Sequence, residues 1–420
     1  MLVYIKTFGC SSNRAETAAI KELMMAAGFK LTPSLRDSDA VIVNTCTVRG
    51  ETERKVLKFL SALAGKRVVV TGCMAAAQPA LIARHAPNFS IVTPHNLPSI
   101  PLALRMNSRT VTLSPSNSMP EPAPYAMGAK YTIAISRGCL GNCSYCIVKL
   151  ARGKLVSLPE ERILSHISHA VNGGAWEIQI SAQDTGVYGN DIGTNLPNLL
   201  NKIINVGGSF RVRLGMFNPS SVQAYIERLI ASFEPSKVYK FIHIPVQSGS
   251  DRVLESMERR YTTSSFKEIV ASFRSKYPKI TLFTDIIVGY PSEADEDFEK
   301  TYEIIKSVRP DKTHIARFSP RPHTPASFMK QTPEAIKKRR SEALALLACK
   351  IQLEKNMECV GKTFEATIVD RYLHGGMIAR TDEYKTVAIS DCKPSMLGRR
   401  VLVNVLSCTP FYMKGEIIHH

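Results

Sequence analysis

The segment Arg137-Gly138-Cys139-Leu140-Gly141-Asn142-Cys143-Ser144-Tyr145-Cys146 sets three cysteines in the spacing Cys-x3-Cys-x2-Cys, directly after the strand-like run 131–136. A structural zinc site wants four ligands. No fourth Cys or His stands beside these three, and the next cysteine along the chain is Cys349. Three thiolates on a 4Fe–4S cluster instead leave one iron open for a substrate or cofactor, which suits the spacing better. Outward from the motif, β-branched runs recur at 131–136, 176–181, 210–215, 239–245, 280–288 and 312–318, separated by helix-length segments. Six such βα steps over about 220 residues predict a partial or complete barrel of parallel strands, with its chemistry at their carboxyl ends.

Toward the N-terminus, three phrases end alike: Leu2-Val-Tyr-Ile-Lys-Thr-Phe-Gly-Cys10, Ala40-Val-Ile-Val-Asn-Thr-Cys46 and Arg67-Val-Val-Val-Thr-Gly-Cys73. Apolar strands alternating with helices, expected at 13–28 and 51–64, predict a parallel sheet flanked by helices. Ligands of such sheets sit beyond the carboxyl ends of the strands, so Cys10, Cys46 and Cys73 could converge there. Residues 105–129 are rich in Pro, Ser, Asn and Met and read as a linker. Toward the C-terminus a charged helix is expected over 333–357, with Ile336, Ala343, Leu347 and Ile351 on its apolar face and Lys337-Lys-Arg-Arg340 on a solvated one. Short strands at 363–370, 376–381, 386–390 and 400–406 then predict a small antiparallel β-barrel. The fold class is therefore α/β. The expected division is 1–104 for a cluster-bearing sheet domain, 105–129 for the linker, 130–357 for the barrel with its trailing helix, and 358–416 for the small barrel.

Composition narrows the function classes. The 420 residues are 44% hydrophobic and 21% charged, which excludes a disordered chain. No apolar run is long enough to span a membrane, and the first residues enter a strand rather than a secretory leader. Lys plus Arg number 54 against 36 Asp plus Glu, a net charge of +18 that favours a polyanionic partner, most often nucleic acid. Ten cysteines in such a chain suggest metal or redox chemistry rather than a disulfide framework.

The Cys139–Cys143–Cys146 motif resembles that of the radical S-adenosylmethionine superfamily, with Tyr145 at its aromatic position. The resemblance implies a 4Fe–4S cluster whose open iron is chelated by S-adenosylmethionine and which delivers one electron to the sulfonium. Taken with Phe8-Gly-Cys10, Asn44-Thr-Cys46, Gly72-Cys73-Met74, His243-Ile-Pro-Val-Gln-Ser-Gly-Ser250 and Thr284-Asp-Ile-Ile-Val-Gly-Tyr-Pro291, the whole chain is similar to the methylthiotransferase family. That family joins an auxiliary-cluster domain, a radical barrel and an RNA-binding barrel called TRAM. It implies a second 4Fe–4S cluster on Cys10, Cys46 and Cys73, which holds or donates the inserted sulfur. Lys149-Leu-Ala-Arg-Gly-Lys154, Ser181-Ala-Gln-Asp-Thr-Gly186 and Arg213-Leu-Gly-Met-Phe-Asn-Pro219 look like the archaeal and eukaryotic branch acting on N6-threonylcarbamoyladenosine in tRNA. Ser181-Ala-Gln-Asp184 stands where that branch has Ser-Gln-Asp, and Tyr290-Pro-Ser-Glu293 where it has Phe-Pro-Gly-Glu.

The expected function is conversion of N6-threonylcarbamoyladenosine beside the anticodon of ANN-decoding tRNAs to its 2-methylthio derivative. S-adenosylmethionine, two 4Fe–4S clusters and a one-electron reductant are implied, in the cytoplasm, because the apolar anchor ending animal members is absent. A methylthiotransferase for isopentenyladenosine or a ribosomal protein is the neighbouring alternative, and a non-catalytic, metal-stabilised RNA-binding protein the distant one. Position at strand ends nominates Ser181, Gln183, Asp184, Arg213, Gln247, Ser248 and Asp285, beside Tyr145, for the cofactor. Arg152, Arg317 and Arg321 are nominated for the substrate carboxylate, with tRNA phosphates or structural ion pairs as the alternative for each. Lys362, Arg371, Arg380, Lys385, Lys393, Arg399 and Arg400 are expected to meet tRNA phosphates. Cys349, Cys359, Cys392 and Cys408 match no motif and are expected to be packing residues.

Overall fold

The computed structural model describes residues 1–106, 108–114, 119–125, 128–372 and 375–418. Its first unit is a wholly parallel sheet of β1 (Leu2–Thr7), β2 (Lys30–Leu31), β3 (Ala40–Thr45), β4 (Arg67–Gly72), β5 (Ser90–Val92) and β6 (Val111–Thr112), in the order β2-β1-β3-β4-β5-β6. Helices Ser11–Ala26 and Gly50–Ser61 lie close to where periodicity places them. All six residues of β3 are buried, as a Val- and Ile-rich strand covered on both faces must be. The strands that lead into the three cysteines, β1, β3 and β4, are neighbours, so their carboxyl ends share one edge. β6 falls within the stretch expected to be a linker. Two residues are too few to carry a period, and only pairing with β5 reveals them. Residues 107, 115–118 and 126–127 of that stretch lie outside the described residues.

The second unit has the six parallel strands expected of a partial barrel. β7 (Lys130–Ala134) is followed by a clamp of β8 (Ser136–Arg137) against β9 (Val156–Ser157). β10 (Glu177–Ser181), β11 (Arg211–Arg213), β12 (Phe241–His243), β13 (Thr281–Val288) and β14 (Lys312–Arg317) complete it. They form two three-stranded sheets, β7-β10-β11 and β12-β13-β14, joined where Val212 bridges Val238. Strand residues alternate between faces. Ile133, Ile178, Val212, Ile242, Leu282 and Ile286 enter the core beneath the helices, leaving an opposite face of mostly polar residues with Phe241 and Phe283 among them.

Helix Glu334–Met357 follows. Its buried side begins with Lys337 and Arg340, continuing through Leu344, Ala348 and Ile351, which corrects the expectation of a solvated basic run. Lys337 donates to the Phe318 carbonyl at 3.1 Å, and Arg340 pairs with Glu293 at 2.6 Å. Only Lys338 and Arg339 face solvent. The last unit is a closed five-stranded barrel: β15 (Thr363–Arg371), β16 (Met377–Thr381), β17 (Thr386–Ile389), β18 (Arg400–Cys408) and β19 (Met413–Ile417). It is mixed rather than antiparallel throughout, because β19, unread in the sequence, closes it by running parallel to β17. Among the described residues, no helix is long and apolar enough to cross a membrane.

Candidate active site

The Cys139–Cys146 loop is held at both ends. The β8–β9 pairing closes its base, and Gly138 has φ +81°, with its missing Cβ only 2.1 Å from the Lys154 carbonyl oxygen. No L-side chain fits there. Gly138 N–H donates to Gln183 Oε1 at 2.8 Å. Ser144 is bound at four points: its hydroxyl donates to the Ser256 carbonyl at 2.9 Å and lies 2.8 Å from the Tyr290 hydroxyl, its N–H donates to the Met257 carbonyl at 3.1 Å, and its carbonyl accepts from Ala326 N–H at 2.9 Å. A Cβ on Gly141 would lie 3.4 Å from Cys139 Sγ and 3.6 Å from Cys143 Sγ, so the glycine leaves room between two sulfurs. Burial, then neighbouring charges including Asp184 and Cys143, raises the Cys139 thiol. Burial and the Cys143 and Cys139 sulfurs push Cys146 up to about 12.

The sequence reading missed Arg259. It donates to the Tyr145 hydroxyl and to Asn218 Oδ1, and lies 5.6 Å from the Tyr145 ring centre and 5.8 Å from that of Tyr261. Its signal, one arginine in Met257-Glu-Arg-Arg-Tyr261, could not be told from its solvent-facing neighbours without the fold.

The second cysteine set lies on the sheet unit, whose helix Cys73–Ala77 packs against helix Val148–Arg152 of the barrel. Gly72, with φ +89°, delivers Cys73; a Cβ there would meet Asn44 Oδ1 and the Thr45 carbonyl at 2.4 Å. Asn13 bridges beneath, donating to Asn44 Oδ1 at 3.0 Å and accepting from Cys10 Sγ at 3.4 Å. Cys46 and Cys73 are buried and Cys10 is exposed. Burial pushes Cys73 up to about 12, against the pull of Arg152 and with Glu16, Cys46 and Cys10 adding to the rise.

Arg152 closes helix Val148–Arg152, just after the first cysteine loop, and is 2% exposed in an ion pair with Glu16 of helix Ser11–Ala26. Gln183 Nε2 donates to Ser12 at 3.3 Å, Ser181 meets Ser11 at 3.1 Å, and Arg321 donates to the Thr47 carbonyl at 3.1 Å and pairs with Glu53 at 2.8 Å. Arg152 acts on Cys10, Cys46 and Cys73 together. If Cys10, Cys46 and Cys73 hold a cluster, Arg152→Leu should lower the iron retained by that trio while sparing the other, as read by iron content against an otherwise identical wild-type preparation.

Neither trio suits a single metal ion. Sulfurs around one zinc at 2.3 Å stand about 3.8 Å apart. Among the described residues, no three cysteine sulfurs lie within 4.8 Å of one another. Thiolates on separate irons of a cluster stand farther apart than that.

The other nominated residues divide. Asp184 is saturated, accepting from Gly186 N–H, Asn218 N–H, Asn218 Nδ2 and the Ser221 hydroxyl. Ser248 is fully buried, accepting from Ser250 N–H at 3.2 Å. Gln247 keeps a positive φ of 67° and an Oε1 without a hydrogen-bond partner, although it is only 8% exposed. Asp285 accepts from His243 Nε2 at 2.6 Å; burial raises its carboxyl, but this bond, the two histidines and Arg49 hold it below the usual range. Arg213 lies in the barrel 4.9 Å above Phe241. Arg152 and Arg321 are already ion-paired, and Arg317, at the outward parity of β14, pairs with Glu334 at 3.1 Å. None of these three substrate nominations reaches the barrel interior with a free charge.

Family profiles match along the chain: the uncharacterized protein family UPF0004 over residues 2–93, the radical SAM superfamily over 133–305 and the TRAM domain over 358–418. A Pyrococcus horikoshii protein described as a probable threonylcarbamoyladenosine tRNA methylthiotransferase is 37% identical over 429 residues, with 99% of each chain covered. The chain belongs to the threonylcarbamoyladenosine tRNA methylthiotransferase family. The Methanothermobacter thermautotrophicus member is 37% identical, again over 99% of each chain. The human member is 29% identical over 99% of this chain and 73% of its own. Among solved structures, the radical S-adenosylmethionine methyltransferase TsrM of Kitasatospora setae superposes with a TM-score of 0.56 at 14% identity, covering 78% of this chain and 77% of that one, a likeness of fold. As the family's radical SAM domain implies, a 4Fe–4S cluster and S-adenosylmethionine serve this chain.

Proposed function

We propose that this protein converts N6-threonylcarbamoyladenosine in tRNA to its 2-methylthio derivative, with residues 1–104 carrying an auxiliary 4Fe–4S cluster, 130–357 the radical site and 358–416 part of the tRNA surface. The observation that supports the reading is the packing of helix Cys73–Ala77 against helix Val148–Arg152, with Arg152 ion-paired to Glu16 of the helix after Cys10. Cys139, Cys143 and Cys146 would hold the radical cluster, and Cys10, Cys46 and Cys73 the second. Bound there, the clusters and S-adenosylmethionine supply one-electron cleavage of a carbon–sulfur bond and the sulfur to be transferred.

This chain's own residues position and enclose. Tyr145, fixed by Arg259, walls the cluster loop, and Gln247 Oε1 is an acceptor awaiting a donor. The basic face would meet tRNA phosphates through the exposed Lys362, Arg371, Lys393 and Arg399. Arg380 and Lys385 turn inward and Arg400 pairs with Glu365, so these three contribute less. The site of action is then the cytoplasm, where tRNA and an electron donor are at hand.

The test is incubation of reconstituted protein with three tRNAs: unmodified, isopentenylated and threonylcarbamoylated. Methylthio product on the third alone is expected. Turnover of the isopentenylated tRNA alone would move the protein to the sister branch, and product on none would reopen the ribosomal-protein reading.

A further inference from the structure

The polar face of the half-barrel holds more positive charge than its carboxylates offset. Phe241, His243, Phe283, Asp285, Lys312 and His314 share this face: the Phe241 and Phe283 rings are 4.8 Å apart, His243 and His314 are 5.6 Å apart, and Phe283 and His314 are 5.9 Å apart. The Arg213 guanidinium stands 4.9 Å above Phe241, and Lys312 Nζ 5.6 Å above Phe283. Arg380 reaches in from the small barrel, 4.5 Å over Tyr384.

The carboxylates facing them are engaged. Asp285 accepts from His243, and Glu177 accepts from the Tyr239 hydroxyl at 3.2 Å and from Gln179. The Arg213 and Arg380 Nε atoms are buried without a hydrogen-bond partner, and the partners of the two guanidinium groups are neutral: Arg380 donates to Thr386 Oγ1 and Arg213 to the Tyr384 hydroxyl. Burial and the charge of Arg380 both lower the Lys312 ammonium, and no carboxylate among the described residues offsets them. His314, lowered to about 4 by burial with Asp285 opposing and His243, Lys312 and Arg49 adding, is a neutral donor.

Two ligand classes compete for this space. His243, Asp285 and His314 offer ligand atoms within 4.8 Å of one another, a geometry open to a divalent cation. Arg49 and Lys312 oppose a cation there, since both act on the same His314. The same two charges favour an anion. A purine carries C2 and N6 on either side of N1, on one edge. A base set with C2 toward the cluster loop would present its N6 substituent along that same edge.

We propose that Lys312, flanked by Arg213 and His314, receives the carboxylate of the threonylcarbamoyl group and so sets the substrate specificity of the barrel. This rests on the threonylcarbamoyladenosine reading above. It assigns the task to residues other than Arg152, Arg317 and Arg321, whose charges are already paired within the protein.

The experiment measures binding to the cluster-loaded protein, without reductant, of three anticodon stem-loops: unmodified, threonylcarbamoylated, and the methyl ester of the last. The wild type should bind the acid about 10- to 100-fold more tightly than the ester. Lys312→Met keeps the aliphatic stem over Phe283, and its acid-to-ester ratio should fall toward one; Lys312→Arg should restore most of it. Iron content and abortive 5′-deoxyadenosine formation, both unchanged in Lys312→Met, would show that the fold and the radical site survive. An acid preference as large in Lys312→Met as in the wild type overturns the assignment while leaving the substrate reading intact. A wild type that binds the acid no better than the unmodified stem-loop overturns the substrate reading and the assignment with it.

Discussion

Replacing any one of Cys139, Cys143 or Cys146 with alanine is expected to abolish 5′-deoxyadenosine formation with a strong reductant, a loss of at least about a thousandfold. Each thiol comes from one short loop pinned at Gly138, Ser144 and Tyr145, so no other donor can move in. The four cysteines outside both trios lie elsewhere: Cys359 packs in the core of the small barrel, with Cys392 and Cys408 against it, and Cys349 lies on helix Glu334–Met357. The triple variant of Cys10, Cys46 and Cys73 should behave differently. It should keep about four of about eight irons per chain and still form 5′-deoxyadenosine, but no methylthio product. Iron quantitation and product analysis on the same samples separate the two roles. Abundant 5′-deoxyadenosine from the Cys143→Ala protein would mean that the cofactor site has been misplaced.

These outcomes draw on the part of the protein that sequence states most directly. Cysteine spacing and the strand preceding each cysteine are local facts, and the parallel-sheet rule carries them to one edge of the fold. The neighbouring positions of β1, β3 and β4, which bring those ends side by side, are set by the strand order and are not stated in the sequence. Charge placement did not read as well. Arg152, Arg317 and Arg321 look alike in sequence, each a cation near a strand or loop end. Their partners, Glu16, Glu334 and Glu53, lie at separations that no local pattern encodes. Lys337 and Arg340 were misplaced because a basic run ordinarily seeks water, whereas here the carbonyl of Phe318 and the carboxylate of Glu293 are buried and need donors. Lys312 and His314 passed unnoticed because only the parity of β14, seen beside the paired Asp285, turns them toward the barrel interior. β19 escaped because its Met-Lys-Gly-Glu-Ile sequence has little strand character, and closure of the barrel supplies what propensity does not.

The small barrel should prove to be a structural closure as well as a tRNA surface, so removing it is expected to do more than weaken RNA binding. The turn after β16 pushes Tyr384 into the radical barrel, where its ring sits 4.9 Å from Tyr239 and 4.7 Å from Phe241. The same turn is fastened by Asp382, whose carboxylate pairs with Arg211 at 3.0 Å and whose carbonyl accepts from Lys240 N–H at 2.9 Å. Lys385 reaches Asp311 at 3.2 Å, and Lys130 reaches Asp370 at 2.7 Å. Burial places Asp311 between two lysines, and Lys355 and Lys385 hold its carboxyl below the usual range despite the desolvation that would raise it.

Truncation at residue 357 would strip this cover from Tyr239 and Phe241 and leave Asp311 with one lysine fewer. A chain ending there should be insoluble or lose its iron. The point variant Tyr384→Ala isolates the packing part: truncating a buried aromatic costs about 3–5 kcal/mol. A urea titration should show a midpoint lowered accordingly with the slope unchanged, and Tyr384→Phe should recover most of the loss because the ring makes the contacts. If the truncated chain is soluble, binds its full iron and forms 5′-deoxyadenosine at the wild-type rate, the barrel is an appendage and the Tyr384 contact is incidental.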